Sequence, residues 1–269
     1  MNTAAARELL QFYAEAGVDA LLGEQPVDRF AGDPPGPALR PARAQTHVSS
    51  AQLDPDARAA APAAPVAPDA AAMAAREAAK SARTLDELRA ILEKFEGCAL
   101  KATASRLVFA DGNPQSRVMF VGEAPGRDED IEGLPFVGRS GKLLDRMLSA
   151  IGLDRTNVYI ANIVPWRPPG NRTPTPQESQ ICLPFILRQI ELADPDILVC
   201  LGGPSAQTLL GIRDGITKSR GRWFTFNTGK RDIRAIATFH PAFLLRSPLQ
   251  KRFAWRDFLA IKKALAAES

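Results

Sequence analysis

The sequence predicts a three-layer α/β/α fold with a mostly parallel central sheet, and three observations support this prediction. Short apolar runs, such as VMFVG at 118–122 and ILVCL at 197–201, are bounded by glycine or polar residues, as buried strands are. Longer segments with helical periodicity lie between these runs. Strands that alternate with helices form parallel sheets whose two faces are both covered by helices.

Each element follows from a local pattern in the folded part of the chain, which is predicted to begin near Ala74. Thr84 with Glu87 three residues later is typical of a capped helix start. The predicted elements are, in chain order, a helix over Leu85–Leu92, strand Val118–Gly122, a helix over Leu143–Ile151, strand Val158–Val164, helix Pro176–Leu192, strand Ile197–Leu201, a short helix after Gly202, strand Ile233–Phe239 and a helix over Pro248–Ala267.

Composition divides the chain into three parts. Residues 33–72 contain eight prolines and fourteen alanines, which predicts a disordered or semi-extended linker because so little side chain can be buried there. Residues 1–32 hold a short amphipathic helical segment, expected to dock on the main body or, less readily, to bind a protein partner of unknown kind. Residues 74–269 form one folded domain. His47 lies in the linker and is therefore a poor catalytic candidate.

Composition also excludes several classes of protein. The 269 residues are 45% hydrophobic, which is too apolar for a wholly disordered chain. No apolar run reaches the roughly 18 residues of a membrane span, and the N-terminus lacks the order of a secretory signal, so we expect a cytoplasmic protein of bacterial type, nucleoid-associated when it acts on DNA. Three cysteines can neither pair off nor form an all-cysteine metal site.

Positive charge is concentrated at the C-terminal end. Residues 218–269 contain 12 basic and 3 acidic side chains, although the whole chain carries only +4. A basic surface of this kind favours binding to a phosphate backbone, and a merely solvated basic face is the simpler alternative.

The first of four unusual loops follows strand 118–122. It reads GEAPG at 122–126, with PFVG at 135–138 after an acidic stretch. Glu123 directly after a buried strand is suited to polarise a water or to stabilise a developing cation. A solvated turn acid is the plain alternative for Glu123, and Phe136 is either ordinary core or a flat wall for stacking a base.

The second loop follows the strand that contains Asn162. An amide offers both donors and an acceptor, which suits the edge of a nucleobase, and an amide that ties down a neighbouring loop is the plain structural alternative. The stiff segment WRPPGNRTP at 166–174 then presents two guanidinium groups, Arg167 and Arg172. It lacks the glycine spacing and lysine of a phosphate-cradling nucleotide loop, which disfavours nucleotide hydrolysis.

The third and fourth loops follow the last two predicted strands. GGPSA at 202–206 opens a helix whose free N–H groups, near Ser205, suit phosphate, although a tight packed turn is the plain alternative. HPAFLLR at 240–246 contains His240, the only histidine in the folded body. Its apolar tip Leu244-Leu245, with Arg246 beside it, resembles a wedge that enters a DNA stack and holds a phosphate.

These motifs, in this order, resemble those of the family 4 uracil-DNA glycosylases. The similarity covers roughly Leu85 to Leu265 and includes GEAPG, PFVG, RPPGNRTPTP, CLPF and HPAFLLR. The resemblance implies a four-stranded, mainly parallel sheet between helices. Because no lysine stands out as a Schiff-base nucleophile, we predict a monofunctional enzyme without lyase activity. Such an enzyme flips uracil out of single- or double-stranded DNA and hydrolyses its bond to deoxyribose. We expect a monomer.

The resemblance also assigns roles to residues. Phe136 stacks on uracil, Asn162 hydrogen-bonds its edge, and His240 holds the uracil O2 as negative charge develops there. Glu123 assists the water or the sugar cation, because Ala124 stands where the better-known uracil glycosylases carry an acid. Gly122 and Ala124 complete the uracil-binding loop. The expected DNA contacts are Arg167, Arg172, Ser205, Leu244, Leu245 and Arg246.

One feature departs from the family pattern. Family 4 members usually hold a [4Fe–4S] cluster on four cysteines, and here only Cys98 and Cys182 occupy two of those positions. Phe95 and Trp166 stand at the other two, and the third cysteine, Cys200, matches neither. We therefore predict no cofactor and no cluster, with the two aromatic side chains filling the vacated volume.

Three alternatives compete with this interpretation. A substrate-shifted member of the superfamily is possible, but the type that stays covalently attached to the sugar carries a histidine beside the second motif, and 165–172 has none. A catalytically silent DNA-binding module would not need Glu123, Phe136, Asn162 and His240. A nucleotide-binding α/β enzyme lacks its phosphate loop.

Overall fold

The computed structural model describes residues 68–267, which form six strands and ten α-helices. The strands are β1 (Asp111–Gly112), β2 (Val118–Gly122), β3 (Tyr159–Asn162), β4 (Ile197–Leu201), β5 (Trp223–Asn227) and β6 (Asp232–Thr238). The helices are α1 (Pro68–Ser81), α2 (Leu85–Lys94), α3 (Leu100–Thr103), α4 (Arg127–Glu132), α5 (Arg139–Ala150), α6 (Pro176–Ala193), α7 (Gly203–Leu210), α8 (Ile216–Ser219), α9 (Pro241–Arg246) and α10 (Lys251–Ala267). Short 3-10 turns lie at Pro169–Asn171 and Pro248–Gln250.

The sheet has the strand order β1-β3-β2-β4-β6-β5, and its four central strands are parallel. These four are the predicted strands. The predicted count of four was nevertheless too low, because β1 and β5 add antiparallel edges. β1 has only two residues, and only one of the five residues of β5 is buried, so neither shows the continuous apolar run that marks a buried strand.

Alternate residues of each central strand face opposite layers of helices. In β2, Met119 and Val121 pack in one apolar cluster with residues of α1, α2, α6 and α7, whereas Val118 and Phe120 join residues of α5 and α10. Both faces of the sheet are thus buried, which confirms the three-layer α/β/α prediction. Among the described residues, no helix is long and apolar enough to cross a lipid bilayer.

The folded body begins earlier than its predicted start near Ala74, since α1 begins at Pro68. Buried alanines repeat along one face of this helix and its C-terminal end, at Ala71, Ala75, Ala79 and Ala82. They belong to the cluster that contains the inner face of α6. Alanine is the strongest helix former, so the alanine-rich end of the predicted linker 33–72 is helical here. The predicted segment 1–32, His47 and the linker as far as residue 67 lie outside the described residues.

Helices α2 and α6 begin at the predicted residues, Leu85 and Pro176. Thr84 Oγ1 accepts a hydrogen bond from the backbone N–H of Glu87 at 3.1 Å and thereby caps α2. Thr175 and Glu178 form a reciprocal capping box at the start of α6. The predicted C-terminal helix is divided into the 3-10 turn at Pro248–Gln250 and α10.

A buried ion pair joins α10 to the end of β6. The Asp257 side chain is 1% exposed and accepts hydrogen bonds from Thr238 Oγ1 at 2.7 Å and Arg220 Nε at 2.9 Å. Thr238 is the last residue of β6, two residues before His240. The pair therefore anchors the strand end that carries the only histidine among the described residues.

We expect Asp257→Ala to lower the free energy of unfolding by about 3 to 5 kcal/mol, because it leaves the mostly buried Arg220 guanidinium without its counter-charge. The matched control is Glu93→Ala, which breaks an exposed pair with Arg89 and should cost less than about 1 kcal/mol. Urea unfolding measures both losses. Equal losses in the two variants would show that the buried pair contributes no more than a surface pair.

Candidate functional site

A cavity of about 640 Å³ opens at the carboxyl ends of the parallel strands. The strand register places Gly122, Asn162, Leu201 and Thr238 at one edge of the sheet, so the loops that follow these strands converge there. All four loops singled out in the sequence contribute to the cavity wall. The predicted residues among its lining are Glu123, Ala124, Phe136, Asn162, Arg172, His240 and Arg246.

The Phe136 ring and the Asn162 amide meet beside Gly122. A Cβ atom at Gly122 would lie 2.7 Å from Phe136 Cζ and would overlap Asn162 Oδ1, so only glycine leaves room for both side chains. Gly122 therefore acts by its lack of a side chain. It shapes the wall of the cavity without lining it.

Asn162 presents an unsatisfied donor at the cavity. The residue is 5% exposed, and its Nδ2 is the one buried side-chain polar atom among residues 68–267 with no hydrogen-bond partner. Buried amides nearly always have partners, because an unmade hydrogen bond costs about 1 to 3 kcal/mol. A buried donor that faces a cavity is suited to a ligand that supplies the missing acceptor.

His240 is held in one tautomer by the backbone. It caps α9, and its Nδ1 accepts a hydrogen bond from the backbone N–H of Ala242 at 3.1 Å. In a neutral imidazole the proton must then be on Nε2, which becomes a donor. Burial, with a smaller effect of the Arg246 charge, lowers the pKa of His240 to about 4. The imidazole is therefore neutral at pH 7.

The His240 ring also lies against Phe136, with ring centroids 5.4 Å apart and planes inclined by 30°. Gly202, which has φ of +94°, allows the neighbouring loop to approach the histidine, because a Cβ there would lie 3.1 Å from His240 Cβ. An aromatic wall, an amide and an imidazole donor thus surround one small volume.

Glu123 follows β2 directly and supplies the carboxylate of the site. Its carbonyl accepts a hydrogen bond from Val164 N–H at 3.0 Å, which fixes its backbone against the segment after β3. The side chain is partly buried, and burial raises the pKa of the Glu123 carboxyl above its usual value. Its position allows it to act on a water or on a cationic centre in the cavity.

Glu129 holds two of the loops together, a role that the sequence analysis missed. Its carboxylate is buried and accepts hydrogen bonds from Gly126 N–H and Gly138 N–H, each at 3.0 Å. The GEAPG and PFVG loops are therefore tied to one side chain, which also lines the cavity. An acid in the third position of a helix after a glycine was the available signal, since such acids bind the N–H groups of the cap.

For two of the predicted DNA contacts, Leu244 and Ser205, the side chain is buried and is therefore not available at the surface. Leu244 is fully buried and packs with Phe239 and Ala254. Ser205 is also fully buried, and its hydroxyl donates a hydrogen bond to the Val121 carbonyl at 2.7 Å. Leu245 is exposed, and so is Arg246, which lines the cavity.

The two arginines of the proline-rich loop already have protein partners. Arg172 forms a two-pronged pair with Glu178, at 2.8 and 2.6 Å, and Arg167 Nε donates to Asn171 Oδ1 at 2.7 Å. These bonds stiffen the loop that forms one wall of the cavity. Contact of either guanidinium with DNA stays a prediction.

Comparisons with known proteins agree with one another. The chain is 39% identical to the type-4 uracil-DNA glycosylase of Archaeoglobus fulgidus over 182 residues, which cover 66% of this chain and 92% of that protein. It is 43% identical to the type-4 uracil-DNA glycosylase of Thermotoga maritima over 169 residues, 61% of this chain and 86% of that protein. The type-4 uracil-DNA glycosylase of Saccharolobus solfataricus is 39% identical over 189 residues, which cover 68% of this chain and 88% of that protein.

A family model matches as well, and it covers the sheet and the cavity. The model of the uracil DNA glycosylase superfamily matches residues 109–259, more than half of the chain, and this span contains all four loops of the site. The chain belongs to the uracil DNA glycosylase superfamily.

Proposed function

We propose that this protein is a DNA repair glycosylase that flips uracil out of DNA and hydrolyses its N-glycosidic bond, leaving an abasic site. Its similarity to type-4 uracil-DNA glycosylases supports this activity. The observation that carries the proposal is the buried Asn162 amide with a free donor, placed beside the Phe136 ring and the His240 imidazole.

The cavity suits uracil in both shape and hydrogen bonding. A base inside a duplex is out of reach and must be swung out, after which a flat side chain can stack on it. Phe136 offers that face. The free Asn162 Nδ2 donor matches the uracil O4 acceptor, whereas cytosine presents an amino group at the same position and would leave both donors unpaired.

His240 and Glu123 stabilise the two charges that form as the bond breaks. When the C1′–N1 bond breaks, its electron pair goes to the base and the sugar becomes an oxocarbenium-like cation. The Nε2–H of neutral His240 donates to uracil O2, where part of the negative charge collects. The Glu123 carboxylate stabilises the cation or assists the water that adds to C1′. The water oxygen bonds to C1′ and gives up one proton to the Glu123 carboxylate, while the uracil anion leaves and is protonated by solvent.

Hydrolysis without strand cleavage is the expected outcome. A lyase uses an amine to form a Schiff base with the sugar. Among the described residues, no lysine lines the cavity. This absence supports a monofunctional enzyme whose nucleophile is water.

We also propose that the chain works without an iron–sulfur cluster. Cys98 and Cys182 are buried with their Sγ atoms 3.9 Å apart, but two thiolates are half the ligand set of such a cluster. Trp166 is 2% exposed within the core, and Phe95 packs edge-on against Phe185 at 5.0 Å between ring centroids. Neither aromatic side chain offers a ligand atom, so the residues present do not fit the cluster.

The proposed DNA contacts, oligomeric state and location of the protein rest on the sequence and on which side chains are exposed. Three of the predicted DNA contacts, Arg172, Leu245 and Arg246, are exposed to solvent, and Arg172 and Arg246 also line the cavity. A monomeric enzyme in the cytoplasm stays our prediction. A protein partner of residues 1–32 has no proposed identity.

The central test is release of uracil from a uracil-containing oligonucleotide, read as strand scission after alkali treatment. We expect activity in the wild-type protein and a loss of about 100-fold to 1000-fold in His240→Ala and Asn162→Ala, because each removes a hydrogen bond strengthened in the transition state. Asn227→Ala, an exposed asparagine on β5, is the control and should keep full activity. DNA binding without uracil release by the wild-type protein would instead favour a silent binding module.

The pH dependence of the single-turnover rate should reflect the ionisation of Glu123 and not that of His240. Because the pKa of His240 is about 4, the single-turnover rate should show no inflection near the ordinary histidine value of about 6.5. Because the pKa of Glu123 is raised, the rate should fall on the acid side at a higher pH than an ordinary glutamate gives. In Glu123→Gln this acid limb should disappear. An inflection near 6.5 that His240→Ala abolishes would contradict the assigned neutral imidazole.

Iron content tests the proposal about the cluster. Protein purified without oxygen should contain far less than four iron atoms per chain and lack the visible absorption of a [4Fe–4S] centre. The variant Phe95→Cys/Trp166→Cys restores four thiols and serves as the positive control for reconstitution with iron and sulfide. About four irons per wild-type chain would overturn the proposal.

A further inference from the structure

The backbone at Phe136 is held in a conformation that phenylalanine rarely adopts. Its φ of +56° lies in the left-handed region, which is strained for a non-glycine residue and persists only where the surrounding structure enforces it. Helix α5 presses against the same residue, because a Cβ atom at Gly141 would overlap the Phe136 carbonyl. The orientation of the Phe136 ring therefore depends on the groups that bind the Phe136 carbonyl.

Arg155 binds the two backbone carbonyls that flank the strained φ of Phe136, those of Pro135 and of Phe136 itself. Its Nη1 donates to the Pro135 carbonyl at 3.1 Å, and its Nη2 donates to the Phe136 carbonyl. The guanidinium is itself held by Asp145, whose Oδ1 accepts from Nε at 2.9 Å, and by Asp111. All five N–H groups of an arginine are donors in a rigid fork, which suits this arrangement of four acceptors.

This clamp draws on parts of the fold that have no other assigned role. Asp111 belongs to β1, the two-residue edge strand that pairs with β3. Burial lowers the pKa of the Arg155 guanidinium, but the carboxylates of Asp111 and Asp145 outweigh it and raise the pKa. On the far side of the turn, Glu129 binds Gly138 N–H. The 135–138 turn is thus fixed at both ends by charged side chains.

We propose that Arg155 is a positioning residue of the glycosylase reaction, which acts by fixing the Phe136 ring on which the flipped base stacks. This role rests on the proposed function. Arg155 does not line the cavity, so it touches neither base nor sugar and works only through Phe136. A purely structural arginine would affect the stability of the fold without a specific effect on uracil.

The test compares Arg155→Met with Arg188→Met. Arg188 is a close match, since it also binds a backbone carbonyl, that of Ala82, and a carboxylate, that of Glu191, and its side chain is 20% exposed against 25% for Arg155. It lies on α6, and it does not line the cavity. Both variants lose the hydrogen bonds of a guanidinium group to a backbone carbonyl and a carboxylate. Only Arg155→Met is expected to loosen the Phe136 ring.

The readouts are inhibition by free uracil, the division of kcat/KM into kcat and KM, and the midpoint of thermal unfolding. In Arg155→Met we expect the inhibition constant for uracil to rise and kcat/KM to fall, each by about 10-fold to 100-fold, because a misplaced contact of about 1 Å costs that much. Arg188→Met should lower the unfolding midpoint and leave uracil inhibition unchanged. Arg155→Lys keeps the charge without the fork and should recover part of the uracil affinity.

A double variant tests whether the effect of Arg155 on uracil binding depends on the Phe136 ring. If Arg155 acts through Phe136, then Arg155→Met should have no further effect on uracil inhibition once Phe136→Ala is present. Full additivity of the two changes would overturn the positioning role, and so would equal changes of uracil inhibition in Arg155→Met and Arg188→Met. If Arg155→Met does not fold, unchanged uracil inhibition in Arg155→Lys would overturn it. A wild-type protein that releases no uracil would instead overturn the proposed function, and this role with it.

Discussion

The parallel register of β3, β2, β4 and β6 is the constraint on which the site depends. Parallel strands end at one edge of a sheet, so residues that are distant in the chain become neighbours there. Gly122 and Asn162 are register partners, and Thr238 at the end of β6 leads into His240. The sheet is buried on both faces, which makes that edge rigid. The functional side chains of the loops are therefore attached to strands that cannot shift without exposing the core.

Rigid strands alone do not orient the loop side chains, and charged groups that are buried or partly buried hold these loops in place. Glu129 binds the N–H groups of two loops, Arg155 binds the carbonyls of the stacking turn, and Asp257 anchors the end of β6 through Thr238 and Arg220. Each of these groups is satisfied by several hydrogen bonds, which offsets the cost of burying its charge. In the described part of the chain, residues 68–267, one buried side-chain donor is left without a partner, Asn162 Nδ2, and it faces the cavity.

The sequence predicted the four central strands and seven residues that line the cavity, because both leave local signals. Buried parallel strands appear as continuous apolar runs, and a polar residue directly after such a run stands out, as Glu123, Asn162 and His240 do. The edge strands were missed because β1 is too short and β5 too exposed to give that signal. The start of α1 was misplaced because an alanine-rich stretch has the same composition whether it forms a linker or a packed helix.

By itself the sequence determined the fold class, the order of the loops and the chemical groups that they offer, since these follow from periodicity and from residue types beside strand ends. Only the tertiary structure decided which of those groups face the cavity. Leu244 and Ser205 are buried, although their motifs suggested DNA contacts, because the packing of α9 and α7 turns them inward. It also decided that Arg155 serves the Phe136 turn. An arginine in a loop gives no local sign of its partners, because its contacts are set by residues that only the fold brings near.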